Sequence, residues 1–442
     1  MSSVDALLGS LSIEEKIGQT LCWFISRESE EEIEAIAKAV PVGSVFLKFC
    51  SQERIARVTE IVNRHSRVPV IISSDLDRGA GPFIEGATSF PYMMALGATN
   101  NTGLARKVGR ATAREGRAMG IHWTFSPVVD LNRNFQNPIV NVRALGEDKL
   151  HVVRMAEAYI EGIQQDALMA ATAKHFPGDG LDDRDQHLCT SHNPLSRPDW
   201  DELFGYVWKR VINKGVMSIM AGHIAMPSVD TGLGDYRGPP PATLSYALQT
   251  ELLKQELGFK GVLVSDAYPM IGFTSHLPTS RLAVENIRTG SDMLLFAEPL
   301  RDAKLLLEAY RSKELTEARL DDAVERILTM KHALGILSGR TADPPTEVET
   351  CEFSTWSQQV AEHSTSIVRD ETGLLPVKLS PGAKVLTVSI GYKENGTKYQ
   401  DVTVVDEELT RRGYHVTHLA NPSHYEILSG MSDYEAIFVN FN

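Results

Sequence analysis

Cysteine is scarce in this chain of 442 residues, and its four copies, Cys22, Cys50, Cys189 and Cys351, are widely scattered. No C-x-x-C pair suits a zinc site, and no dense spacing suits a disulfide framework. Basic charge is also short: 44 Lys and Arg face 57 Asp and Glu, a formal net charge of −13, with no long basic run. A nucleic-acid binder needs a positive stripe to displace phosphate counterions, so that class is excluded. No segment reaches the roughly 18 unbroken apolar residues of a membrane span. Met1-Ser2-Ser3-Val4-Asp5 has neither the basic start nor the apolar stretch of a secretion signal. The expectation is a cytoplasmic chain with reduced thiols. A G-x-G-x-x-G turn after a first strand is missing too, which argues against a dinucleotide-binding sheet.

What is present suits a folded enzyme. Hydrophobic residues at 43% allow a sizeable core, and the length favours one large domain plus a smaller one. Short runs rich in Val and Ile alternate with stretches of helical period, the pattern of repeated βα units. Strands are expected at 43–49, 68–75, 122–130, 170–176, 216–223, 261–267 and 292–296. Helices are expected at 52–65, 103–119, 149–166, 199–214, 244–257, 280–289, 300–311 and 316–334. Ser12 and Glu15 form a capping box for an opening helix. Strands apolar on both faces belong in a parallel sheet covered by helices. The fold class expected is therefore α/β: a (β/α)8 TIM-like barrel over 1–338, with seven strands placed and an eighth not found. The polar stretch 339–362, with two adjacent prolines, is expected to be a linker. Residues 363–442 then form a smaller α/β domain, with strand, helix and strand near 383–390, 403–412 and 435–441; it is very small or cut short.

Several expected strands end in a titratable residue: Asp75, Asp130, His175, His223 and Asp266. In a barrel those ends converge on the face that carries the active site. Helix capping explains one such residue easily, but caps do not call for His. The segment 174–187, KHFPGDGLDDRDQH, is the richest. Its glycines make a flexible exit from the strand, and the loop then carries Asp179, Asp182, Asp183, Asp185 and His187. Three readings stay open on chemistry alone. One is a metal site. Another is an acid/base dyad, Asp185-x-His187, whose i and i+2 residues share a face of an extended segment. The third is a solvated acidic loop.

The same residues resemble family 3 of the glycoside hydrolases, in its bacterial β-N-acetylglucosaminidase branch, whose pattern is Lys-His-Phe-Pro-Gly-His-Gly and then Asp-Ser-His. LSIEEKIGQT (11–20), SFPYMMALGAT (89–99), FSPVVDLNRNFQNPIVNVRALGED (125–148), GFKGVLVSDAYPM (258–270) and STSIVRDETGLLPV (364–377) are similar to further family segments in the same order. The resemblance implies a retaining glycoside hydrolase that removes β-linked N-acetylglucosamine-type sugars through a covalent intermediate. It implies Asp266 as nucleophile and His187 as general acid/base, with Asp185 as its partner. It also implies Asp75, Arg143, Lys174 and His175 as holders of sugar hydroxyls, with His223 near the sugar. No metal or other cofactor is called for, and the expected partner is a carbohydrate.

This chain departs from the family pattern in two places. Asp179 stands where the motif has its second His, and 75–81 reads Asp-Leu-Asp-Arg-Gly-Ala-Gly where the family shows Asp-x-Glu-Gly-Gly and then Arg. The second departure leaves the exact sugar open. Asp130 is expected to pin backbone, and Trp123, Trp200 and Trp208 to pack the barrel. The alternatives weighed are a β-N-acetylglucosaminide phosphorylase, a family 3 β-glucosidase or β-xylosidase, and a non-catalytic sugar-binding homologue.

Overall fold

The computed structural model describes residues 3–232, 238–391, 403–423 and 431–441, in two compact units, 1–365 and 366–442. The first unit is a closed barrel of eight parallel strands: β1 (Leu21–Phe24), β2 (Ser44–Phe46), β3 (Ile71–Ser74), β4 (Trp123–Thr124), β5 (Thr172–Phe176), β6 (Ser218–Ala221), β7 (Val262–Ser265) and β8 (Leu294–Ala297). A continuous ladder runs β8-β1-β2-β3-β4, and a second runs β5-β6-β7. Single bridges, Trp123 to Ala170 and Val264 to Met293, join the two ladders into a ring.

The strand missing from the sequence reading is β1. It follows the first capped helix almost directly, is four residues long, and holds no Val or Ile. Its place is decided by long-range pairing, with Leu21 opposite Leu294 on one side and Cys22 opposite Ser44 on the other. Side chains alternate across the barrel wall, as period-2 geometry requires. Cys22, Phe46, Ile71, Trp123, Met220, Val262, Val264 and Leu295 fill the interior. Leu21, Trp23, Val45, Ile72, Leu263 and Leu294 face the surrounding helices.

The helices lie close to their expected positions, for example Gln52–Arg64, Thr102–Ala118, Lys149–Gln164 and Glu317–Ala333. Ser12 and Glu15 form their capping box. The expected linker is corrected. Glu347–Ser364 is an 18-residue helix belonging to the first unit, opened by a further capping box, Thr346 with Glu349. Phe353, Trp356 and Val360 are buried on one side of it, while Arg114 pairs with Glu349 at 3.1 Å. Three apolar residues at spacings of three and four suffice to dock a helix that is otherwise polar. Among the described residues no helix is long and apolar enough to cross a membrane.

The second unit is a three-stranded parallel sheet with Lys384–Ile390 in the middle, flanked by His415–Ala420 and Ala436–Phe441. The strand at His415–Ala420 was not expected. Its alternation of His, Thr and apolar residues is weaker than that of KVLTVSI.

Candidate active site

The C-terminal ends of β3, β5 and β7 converge on a pocket of about 160 Å³ lined by Asp75, Arg143, Lys174, His175, His187 and Asp266. Ligand pockets generally run to ~300–1,000 Å³, so this one suits a single sugar ring better than a long oligomer. Six of the eight residues singled out from sequence therefore meet in one place. Asp185 lies just behind, bonded to His187.

Asp266 follows β7 directly. Its backbone N–H donates to Ala221 O at 2.8 Å, and its Oδ1 accepts from the Ala267 N–H at 2.7 Å. Burial acts to raise its pKa, but His175, His223, the Ala267 N–H and Lys174 outweigh it, so the carboxyl is held below its ordinary 3.8. It is an anion at neutral pH.

His175, next to last in β5, places its Nε2 4.0 Å from Asp266 Oδ2. Asp130, fully buried, fixes that ring: its Oδ2 lies 2.7 Å from His175 Nδ1, and its Oδ1 accepts the backbone N–H groups of His175 and Asp179 at 3.1 and 2.8 Å. Asp130 thus pins backbone, and it holds a pocket side chain as well. Lys174 Nζ sits 3.3 Å from Asp75 Oδ1, and Arg143 Nε 3.9 Å from Asp77 Oδ2. Burial raises the Asp77 pKa. This acidic residue in the departing 75–81 segment is therefore part of the site's charge arrangement.

The loop after β5 is built by close approaches. A Cβ on Gly178 (φ +124°) would stand 2.1 Å from the Phe204 ring, and one on Gly180 (φ +102°) 2.0 Å from Leu131 O. Only glycine fits either place. Pro177 O accepts from the indole N–H groups of both Trp200 and Trp208, at 2.9 and 3.0 Å. These buried tryptophans pack the barrel, as does Trp123, whose Nε1 donates to Thr172. At the loop's far end Asp185 Oδ1 lies 2.7 Å from His187 Nδ1 and also accepts the His187 N–H at 2.8 Å. The imidazole is 58% exposed, Asp185 28%. Nε2 is left as the atom available to a ligand.

His223 is fully buried and absent from the pocket lining, with Nδ1 2.8 Å from Thr243 Oγ1 and Nε2 3.0 Å from Ala267 O. Its ring stacks on Phe273 at 5.0 Å. It supports the peptide beside Asp266 and has no free nitrogen for a sugar. Lys48, Gln186 and Phe296 are among the lining residues that were missed. Lys48 was findable, because it follows the β2 strand just as Asp75 follows β3. Gln186 and Phe296 carry no such signal. Two carboxylates of the acidic loop are taken up by neighbours: Asp182 accepts the His192 N–H at 2.7 Å, and Asp179 accepts from Gly180, Asn137 and Gln186. Among the described residues no group of three or more His, Cys, Asp or Glu is placed to hold a metal.

An eight-stranded barrel with a buried anion and a carboxylate-backed imidazole in one small polar pocket defines an enzyme of glycoside chemistry. The family model "Glycosyl hydrolase family 3 N terminal domain" matches residues 12–330, and the chain belongs to that family. A β-N-acetylglucosaminidase/β-glucosidase of Cellulomonas fimi is 36% identical over 402 residues, 88% of this chain and 70% of that protein. β-Hexosaminidase A of Pseudoalteromonas piscicida is 29% identical over 338 residues, 69% of this chain and 55% of that protein. Among solved structures, a β-glucoside phosphorylase bound to 2FGlc superposes with a TM-score of 0.90 at 31% identity, covering 100% of this chain and 83% of that one. A family 3 β-N-acetylglucosaminidase from Paenibacillus sp. str. FPU-7 gives 0.85 at 25%, covering 97% and 84%.

Proposed function

We propose that this chain is a retaining β-glycosidase that removes β-linked N-acetylglucosamine-type sugars, with Asp266 as nucleophile and the Asp185–His187 dyad as acid and base. The observation that carries the reading is that a carboxylate held ionised and an exposed imidazole tied to its own carboxylate line one pocket. Asp266 attacks the anomeric carbon while His187 Nε2 protonates the departing oxygen. His187 then takes a proton from the water that releases the sugar. Lys174, Arg143, Asp75 and His175 offer polar groups to the sugar hydroxyls: Lys174 and Asp75 are paired, Asp130 holds His175, and Arg143 lies beside Asp77.

The test is His187→Ala on two substrates. A natural disaccharide needs its leaving oxygen protonated, and its rate is expected to fall by about 10²–10⁴-fold. A nitrophenyl glycoside scarcely needs the proton. It is expected to show an initial burst, because the water step then becomes limiting. Equal losses on both substrates without a burst refute the assignment.

A second reading is phosphorolysis. Lys48, Arg143 and Lys174 place three cationic side chains in the pocket lining, and an imidazole does not repel phosphate as a carboxylate would. Sugar phosphate among the products in phosphate buffer supports it; free sugar alone refutes it.

A further inference from the structure

We infer that Gln186 is a positioning residue that clamps the Asp185–His187 loop onto the barrel, holding His187 at the pocket. The inference rests on the role proposed for His187. Gln186 lies between the two members of the dyad yet is fully buried, whereas both of its neighbours are partly open to solvent. Its Oε1 accepts the His223 backbone N–H at 2.8 Å, and its Nε2 donates to Asp179 Oδ2 at 2.6 Å. A backbone N–H can only donate and a carboxylate only accept, so these partners fix the amide's orientation.

Asp179 in turn accepts the Gly180 N–H at 2.6 Å and Asn137 Nδ2 at 2.9 Å. Asn137 Oδ1 accepts the N–H groups of Ile139 and Val140, and Ile139 lines the pocket. The loop backbone is tied down as well. Gln186 O and His187 O accept from Gly272 and Ile271, both at 3.1 Å, and a Cβ on Gly272 would stand only 2.7 Å from Gln186 O. The dyad's loop is therefore attached to the loops after β4, β6 and β7. The Gln186 side chain joins the loop after β6 directly and the loop after β4 through Asp179 and Asn137. Asp179 and Gln186 occupy the positions at which the family motif has His and Ser, and here they are partners in a single hydrogen bond. The departure at Asp179 thus has a second half in the dyad segment.

The test uses Gln186→Met, which keeps volume and removes both bonds, beside His187→Ala. Misplacing a proton donor by about 1 Å costs on the order of 10²-fold. Gln186→Met is thus expected to lower kcat on a poor-leaving-group β-glycoside by about 10–100-fold with KM little changed. The burst rate on a nitrophenyl glycoside should stay within about threefold. Azide attacks without a general base, so it should restore steady-state turnover of the nitrophenyl substrate; a general loss of structure would not respond to it. Where Gln186→Met does not fold, Asp179→Asn is the second route, since one amide oxygen cannot face Gln186 and Gly180 together; the same pattern is expected. If His187→Ala shows leaving-group selectivity and azide rescue while the clamp variants lose equally on both substrates or not at all, the inference is overturned alone. If His187→Ala itself shows neither, the acid/base assignment falls and takes the clamp with it.

Discussion

Replacing His175 by Gln probes whether the surrounding protein, and not Asp266 alone, sets the charge of the proposed nucleophile. His175 Nε2 lies 4.0 Å from Asp266 Oδ2, and its electrostatic effect is the largest of those lowering the Asp266 pKa against burial. A unit charge at that distance in an effective dielectric of about 20 is worth at most about 4 kcal/mol. Asp130, in contact with the same ring, cancels part of that field, and His223, Lys174 and the Ala267 N–H remain in the variant. The expected change is a rise in the Asp266 pKa. The assay is kcat/KM for a nitrophenyl β-N-acetylglucosaminide against pH, whose acid limb reports ionisation in the free enzyme. Lower pKa means ionisation is complete further into acid, so the limb should move upward in His175→Gln. The substitution also leaves a buried Asp130 oxygen without its ring partner, a loss of about 1–3 kcal/mol in stability. Adding Asp130→Asn should recover stability without returning the acid limb. A uniform fall in kcat/KM with an unmoved limb would refute the reasoning and leave His175 a sugar contact only.

Asp266→Asn is expected to abolish turnover by several orders of magnitude while the fold persists; more than about a tenth of the activity remaining would remove Asp266 as nucleophile. Exhaustive chelation should leave the rate unchanged, since the loop carboxylates are occupied by Asn137, Gln186 and His192; a loss restored by zinc or manganese would revive the metal reading. Lys331 is fully buried with Gln19 Oε1 at 2.6 Å, and burial pushes its pKa from 10.5 down to about 7. A base with a lowered folded pKa is protonated in the unfolded chain and neutral in the fold across that window, so stability rises with pH between about 7 and 10. Lys331→Met should flatten this rise, whose limiting slope is about 1.4 kcal/mol per pH unit. An unchanged slope in denaturant titrations would contradict it.

Features that depend on near neighbours were legible in the residues themselves. The capping box of Ser12 and Glu15 spans one turn, the Asp185–His187 pair spans two residues, and the helical period is repeated in each outer helix. Asp75, His175 and Asp266 stood at or near strand ends, and the barrel rule brings strand ends together whatever their separation in sequence. The capping box at Thr346 and Glu349 was equally local, but a stretch so polar shows too little period to reveal which side docks. Tertiary structure alone decided the rest. Leu21–Phe24 is a strand because Leu294–Ala297 and Ser44–Phe46 leave backbone donors and acceptors on either side of it, not because its own residues demand one. His223 looked like a ligand holder and became a support, because Thr243 and Ala267 arrive from other loops to occupy both nitrogens. Gln186 had no distinguishing mark until folding set Asp179 and the His223 N–H at its two ends. A buried amide must meet partners wherever the chain brings them, and those partners are specified by the packing of separate loops, which no local pattern records.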